Sequence, residues 1–169
     1  METLGDRDPA DDPPWLYYLT PNHLDCQAGY ALVLSGRDQL VGGDRSGRAA
    51  LRRGRALLCT GAHGVPYDDA SQQRALYEGA WLALAHASCG DLERACAEAR
   101  IAIGRLGSVR SPRSNDLLRQ LSADLHRRSR NAYVADLLPE LDRALTVRAS
   151  TASFIRLSSV RGRLADRRS

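Results

Sequence analysis

Apolar residues recur every three to four positions in six stretches of this 169-residue chain, the spacing of one face of an α-helix. The first stretch opens with Thr20 as N-cap and Pro21 at the first helical position, which satisfies one orphan amide and pre-sets the backbone angle. It runs through Leu24, Ala28, Ala31 and Leu32 to a stop near Gly36. A Gly-rich turn at Val41, Gly42, Gly43 and Asp44 leads into a second helix with Ala49, Ala50, Arg53, Gly54 and Leu57. Thr60-Gly61 ends it, and Gly61 to Pro66 reads as a loop.

The third helix begins near Asp68 and Asp69, carries Tyr77, Ala80, Trp81, Leu84 and Ala87 over about four turns, and ends at Gly90. Asp91 caps a fourth, whose apolar face is Leu92, Ala95, Ala99, Ala102, Ile103 and Leu106, with Glu93 early and Arg105 late as the helix dipole prefers. The stretch Gly107 to Ser114 reads as a loop before a fifth helix with Leu117, Leu118, Leu121 and Leu125. A sixth carries Val134, Leu137, Leu138, Leu141 and Leu145. Proline is tolerated only in a first turn, so Pro139 places the start of that helix near Asn131 to Asp136 or kinks it there.

Composition points the same way. Ala and Leu number 24 and 25, against 7 Val and 3 Ile, which favours an all-α fold of about six helices and speaks against a sandwich or barrel. The length suits one compact domain, expected over residues 15–147. Residues 1–14 hold five acids, three prolines and no hydrophobic period, the composition of a flexible leader. Residues 148–169 form a basic tail, read either as disorder or as a docking helix with Phe154, Ile155, Leu157, Val160 and Leu164 along one side.

No apolar run approaches the length of a membrane span and no signal peptide is evident, so the expectation is a soluble, cytoplasmic protein without a membrane partner. Cys26, Cys59, Cys89 and Cys96 lie in helix-like stretches and read as reduced core or near-core thiols.

Charge is uneven along the chain. Residues 1–109 carry 11 Arg against 14 acids, a balance of −3, whereas residues 110–169 carry 13 Arg against 6 acids, a balance of +7. Every one of the 24 basic residues is Arg, through genome composition or a need for planar bidentate donors.

A repeat underlies the helices. Gly29-Tyr30-Ala31-Leu32 in the first answers Gly79-Ala80-Trp81-Leu82 in the third, 50 residues on; Ala50 and Gly54 in the second answer Ala95 and Ala99 in the fourth, 45 residues on. Small residues at such places let antiparallel helices approach, and each pair leaves an apolar side that only the next can cover. Stacked helical hairpins are the expected architecture.

Leu84 to Ala99, L-A-H-A-S-C-G-D-L-E-R-A-C-A-E-A, resembles the tetratricopeptide repeat around its Gly-Asp turn. The first repeat departs from that pattern after Gly36-Arg37, and the third keeps only the leucines. A wider likeness covers residues 13–146. Pro13-Pro14-Trp15-Leu16-Tyr17-Tyr18, the central hairpin, and Ser108-Val109-Arg110-Ser111 with its Leu-rich helix resemble the C-terminal region of actinobacterial XRE-type helix-turn-helix transcriptional regulators. The resemblance implies a helical sensor or protein-interaction domain behind a small DNA-binding domain. Only 14 residues precede Trp15, so the chain reads as a fragment or a stand-alone relative.

Chemistry is sparse. His23 and Cys26, Cys59 and His63, and His86 and Cys89 are spaced to share a helix face, but Cys59 and His63 straddle the expected helix end, and none has the spacing of a dedicated zinc site. Gly42 to Gly47 follows no strand and contains no lysine, so it is a turn rather than a phosphate loop. The acids read as scattered over solvated faces, no nucleophile–base arrangement stands out, and neither an enzyme nor a cofactor is expected.

Arg45, Arg48, Arg52, Arg53 and Arg55, and later Arg127, Arg128 and Arg130, could contact phosphates, but acids interleave through the first half, no recognition helix is evident and aromatics are not interspersed, which favours solvated faces and ion pairs. Direct binding of DNA or RNA is therefore the alternative function. The favoured reading is a non-enzymatic regulatory domain that holds a peptide, a protein partner or a second copy of itself. Tetratricopeptide arrays line their concave side with the first helix of each hairpin, and that resemblance places Tyr30, Tyr77 and Trp81 there as groove or core residues, with Arg74 and Gln73 as polar candidates.

Overall fold

The computed structural model describes residues 21–64 and 71–147, and all regular structure among them is helical. The helices are α1 (Pro21–Val41), α2 (Gly47–His63), α3 (Gln72–Cys89), α4 (Leu92–Leu106), α5 (Pro112–His126) and α6 (132–147). The expected Thr20 cap, the aromatic cluster at Trp15, Tyr17 and Tyr18, the start near Asp68 and Asp69, the leader and the tail lie outside the described residues.

Residue pairings give the helix directions. Gly29 meets Leu58 and Gly54 while Gly36 meets Leu51 and Gly47, so α1 and α2 are antiparallel. Gln72 bonds Arg105 and Gly79 faces Ala102, so α3 and α4 are antiparallel as well. Across hairpins the first helices run parallel: Cys26 lies by Arg74, Tyr30 by Glu78 and Arg37 by Ser88. The second helices do likewise, with Arg55 near Asp91 and His63 near Glu98. Arg100 of α4 pairs with Asp136 and Glu140 of α6, and Ser122 and His126 of α5 with Asp142. The chain is thus an array of antiparallel hairpins stacked in register, with α3 touching α1, α2, α4 and α5. Leu76, Leu84, Leu118, Leu121, Leu125 and Leu141 fill the shared core.

Local chemistry explains several boundaries. Gly90 adopts φ +83°, a left-handed turn that favours glycine, and its amide bonds back to α3. One residue later the Asp91 side chain accepts from the Arg94 amide and caps α4. Ser111 caps α5 through the Ser114 amide, with Pro112 following, so the loop expected to reach Ser114 ends at Ser111. Asn131 accepts from the Tyr133 and Val134 amides at the head of α6. That helix starts where expected, but Pro139 lies beyond its first turn, on the exposed side.

Two glycines overturn expected helix ends. Gly36 does not stop α1, which runs on to Val41 and turns at Gly43, φ +84°. A Cβ on Gly36 would stand 2.7 Å from the Gly47 carbonyl oxygen, so the glycine is there for close approach between backbones. Gly61 likewise lies inside α2, which extends to His63, and a Cβ on it would overlap the Glu78 carboxylate. The face of α1 also differs from its apolar sequence pattern: Cys26, Gly29, Val33 and Gly36 are buried, whereas Leu24, Ala28 and Ala31 are exposed.

Candidate functional site

Arg74, Tyr77, Glu78 and Trp81 follow one another at i, i+3, i+4 and i+7 on α3 and so share the face turned to α1. Tyr30 of α1 completes an aromatic cluster, its ring centroid 5.1 Å from Tyr77, edge to face, and 5.9 Å from Trp81. Four of the five residues expected to line a groove are therefore brought together. Gln73, the fifth, points to a neighbouring cavity.

The residue that organises the cluster is Glu78, wholly buried and not anticipated, since acids were expected on solvated faces. Its Oε1 accepts from Arg74 Nε at 2.6 Å and from the Tyr30 hydroxyl at 3.4 Å. Its Oε2 rests against Gly61 and, like Trp81 Nε1, has no hydrogen-bond partner among the described residues. A buried carboxylate is costly unless paired, and removal of its cation costs about 3–5 kcal/mol.

The guanidinium also reaches the Asn22 carbonyl and the Cys26 sulfur. Glu78 in turn holds Arg74 more firmly protonated. Burial, and then the Glu78 charge, push the Tyr30 hydroxyl above its ordinary range; burial does the same to the Cys26 thiol. Both groups stay neutral.

Beside this cluster opens a cavity of about 350 Å³ lined by Ser71, Gln73, Arg74, Tyr77, Ser111 and Arg113. The first turns of α3 and α5 both begin there, so two guanidinium groups and two positive helix ends converge on one concave site. Arg74 is largely matched by Glu78; Arg113, exposed at the start of α5, is not part of that pair. At the other end of the same face Arg37 donates to Asp124 at 2.9 Å and to Ser88 at 3.0 Å, tying α1, α3 and α5 together. Among the described residues, the inner face, which α1, α3 and α5 share, is bridged at Arg37 and open at Arg74. Sequence reasoning missed Ser111 and Arg113, though Ser111-Pro112 is itself a helix-start signal.

Elsewhere the chemistry sorts itself. All four cysteines are free; Cys26 and Cys96 are buried and Cys89 half-buried as expected, but Cys59 is exposed. His86 bonds Asp91 at 3.0 Å and Arg55 at 3.1 Å, and burial outweighs Asp91 to lower its pKa. Among the described residues no group of three or more His, Cys, Asp or Glu is placed to hold a metal. None of the described helices is long and apolar enough to cross a membrane. Arg45, Arg48, Arg52 and Arg53 are exposed on or beside α2, whereas Arg55, Arg127 and Arg128 contact Asp91, Asp124 and the Ala87 carbonyl. Comparison of the chain with protein-family models, curated proteins and solved structures finds no match.

Proposed function

We propose that this protein is a non-enzymatic interaction module, a short tetratricopeptide-like array of a cytoplasmic bacterial regulator. Its inner face holds a segment of a partner protein that bears a carboxylate. The observation that carries this reading is the cavity at the open end of α3 and α5. Arg74, Arg113 and two helix starts offer positive charge there, Ser71 and Ser111 contribute hydroxyls, and Tyr77 supplies an aromatic wall. A cavity of about 350 Å³ accommodates a few side chains of an extended peptide rather than a folded domain. A carboxylate on Arg113 gains charge-assisted hydrogen bonds, while the hydrophobic remainder of the segment packs on Tyr77.

Selection from a display library of random peptides tests the proposal. Enrichment of Asp- or Glu-bearing sequences by the full chain, lost on Arg113→Glu, is expected. Enrichment that Arg113→Glu leaves unchanged contradicts it, as does the absence of enrichment together with salt-sensitive binding to mixed DNA. Arg113→Glu is the appropriate variant because Arg74 also compensates the buried Glu78.

A further inference from the structure

The exposed cysteine does not stand alone. Cys59 and His63 are both on α2, rather than straddling its end, and one turn of helix brings the Cys59 sulfur 3.4 Å from His63 Nδ1. On the far side of the imidazole, His63 Nε2 lies 2.6 Å from Oε2 of Glu98 on α4, a carboxylate only 6% exposed. An ionised carboxylate only accepts, so in the neutral imidazole the ring proton belongs on Nε2 and the Nδ1 lone pair faces the thiol, the form in which His63 can act as a base. This is the order nucleophile, base, orienting acid.

We propose that Cys59 is a reactive thiol, activated by His63 and positioned through Glu98, that forms a mixed disulfide with low-molecular-weight disulfides. In the step His63 Nδ1 takes the Sγ proton, and the thiolate attacks one sulfur of the disulfide R–S–S–R. The new bond is Cys59 S–S–R, the old S–S bond breaks, and the departing RS⁻ receives the proton back from His63. Cys59 is oxidised to the mixed disulfide and one half of the small disulfide is reduced to its thiol.

Two features hold the charged intermediate pair. The imidazolium sits in the last turn of α2, where the helix end favours a cation, and it faces the Glu98 carboxylate. The other three thiols are internal controls. Cys26 and Cys96 are buried, and burial raises the pKa of both; Cys89 is half-buried.

The test exposes the full chain to glutathione disulfide, locates adducts by mass spectrometry, and follows the rate against pH. Cys59 is expected to react first. His63→Ala is expected to slow it roughly three- to tenfold at neutral pH, because the base that takes the Sγ proton is gone. Glu98→Gln, which keeps the shape of the acid, is expected to slow the reaction in the same sense while its helical circular dichroism stays that of the parent. First reaction at Cys89, or a His63→Ala profile that superimposes on the parent, overturns the proposal. Should Glu98→Gln unfold, the exposed His63→Ala variant decides alone.

Discussion

The first two hairpins share one topology but are held together differently. Between α1 and α2 the backbones themselves meet: a Cβ on Gly36 would stand 2.7 Å from the Gly47 carbonyl and one on Gly54 3.0 Å from the Gly29 carbonyl. Glycines seven residues apart on each helix, Gly29 and Gly36 against Gly47 and Gly54, build this seam. Between α3 and α4 side chains do the packing. Ala80, Ala83, Ala87, Ala95, Ala99 and Ala102 are all fully buried, and the connection is made by the Gly90 turn and the Asp91 cap.

The contrast shows that equivalent letters in a repeat need not do equivalent work. Gly79 answers Gly29 in sequence, yet a Cβ on Gly79 would find its nearest neighbour, Ala102, at a comfortable 4.0 Å, whereas one on Gly29 would press on Leu58 at 2.8 Å.

The sharpest way to break the comparison is to place one methyl group in each hairpin. Gly47→Ala drives a Cβ into the Gly36 carbonyl and is expected to cost about 2 kcal/mol, the overpacking penalty outweighing the gain in helix propensity. Gly79→Ala meets only an ordinary van der Waals contact with Ala102 and is expected to stabilise by about 0.5–1 kcal/mol. Urea unfolding of both variants reads the two signs; equal signs would show that the seams are alike. Between these in size, Asp91→Ala removes the α4 cap and is expected to cost about 1 kcal/mol by the same measurement.

The same contrast explains what could be read in advance. The second hairpin follows local rules: Gly90 for the left-handed turn, Asp91 for the cap, apolar residues at helical spacing. All of these are visible in a linear sequence. The first is governed by tertiary approach. Gly36 and Gly61 look like stop signals because glycine usually marks a helix end, and only the facing Gly47 and Glu78 show that they are points of contact.

The site divides in a similar way. Tyr30, Arg74, Tyr77 and Trp81 were legible as residues on first helices of stacked hairpins. Glu78 was not, although it stands one turn after Arg74, because an acid on a helix is ordinarily solvated. Glu98 escaped for a stronger reason: 35 residues separate it from His63, and no local spacing joins them.

The central claim is that the open end of the inner face receives a carboxylate-bearing peptide. Its most direct test is to follow backbone and indole resonances of the isotope-labelled full chain while a short alanine- and glutamate-containing peptide is added at low and at high salt. The account predicts shifts concentrated at Ser71 to Tyr77 and Ser111 to Arg113, weakened by salt. Shifts confined to Arg45 to Arg53, on or beside α2, or none at any residue lining the cavity, would contradict it.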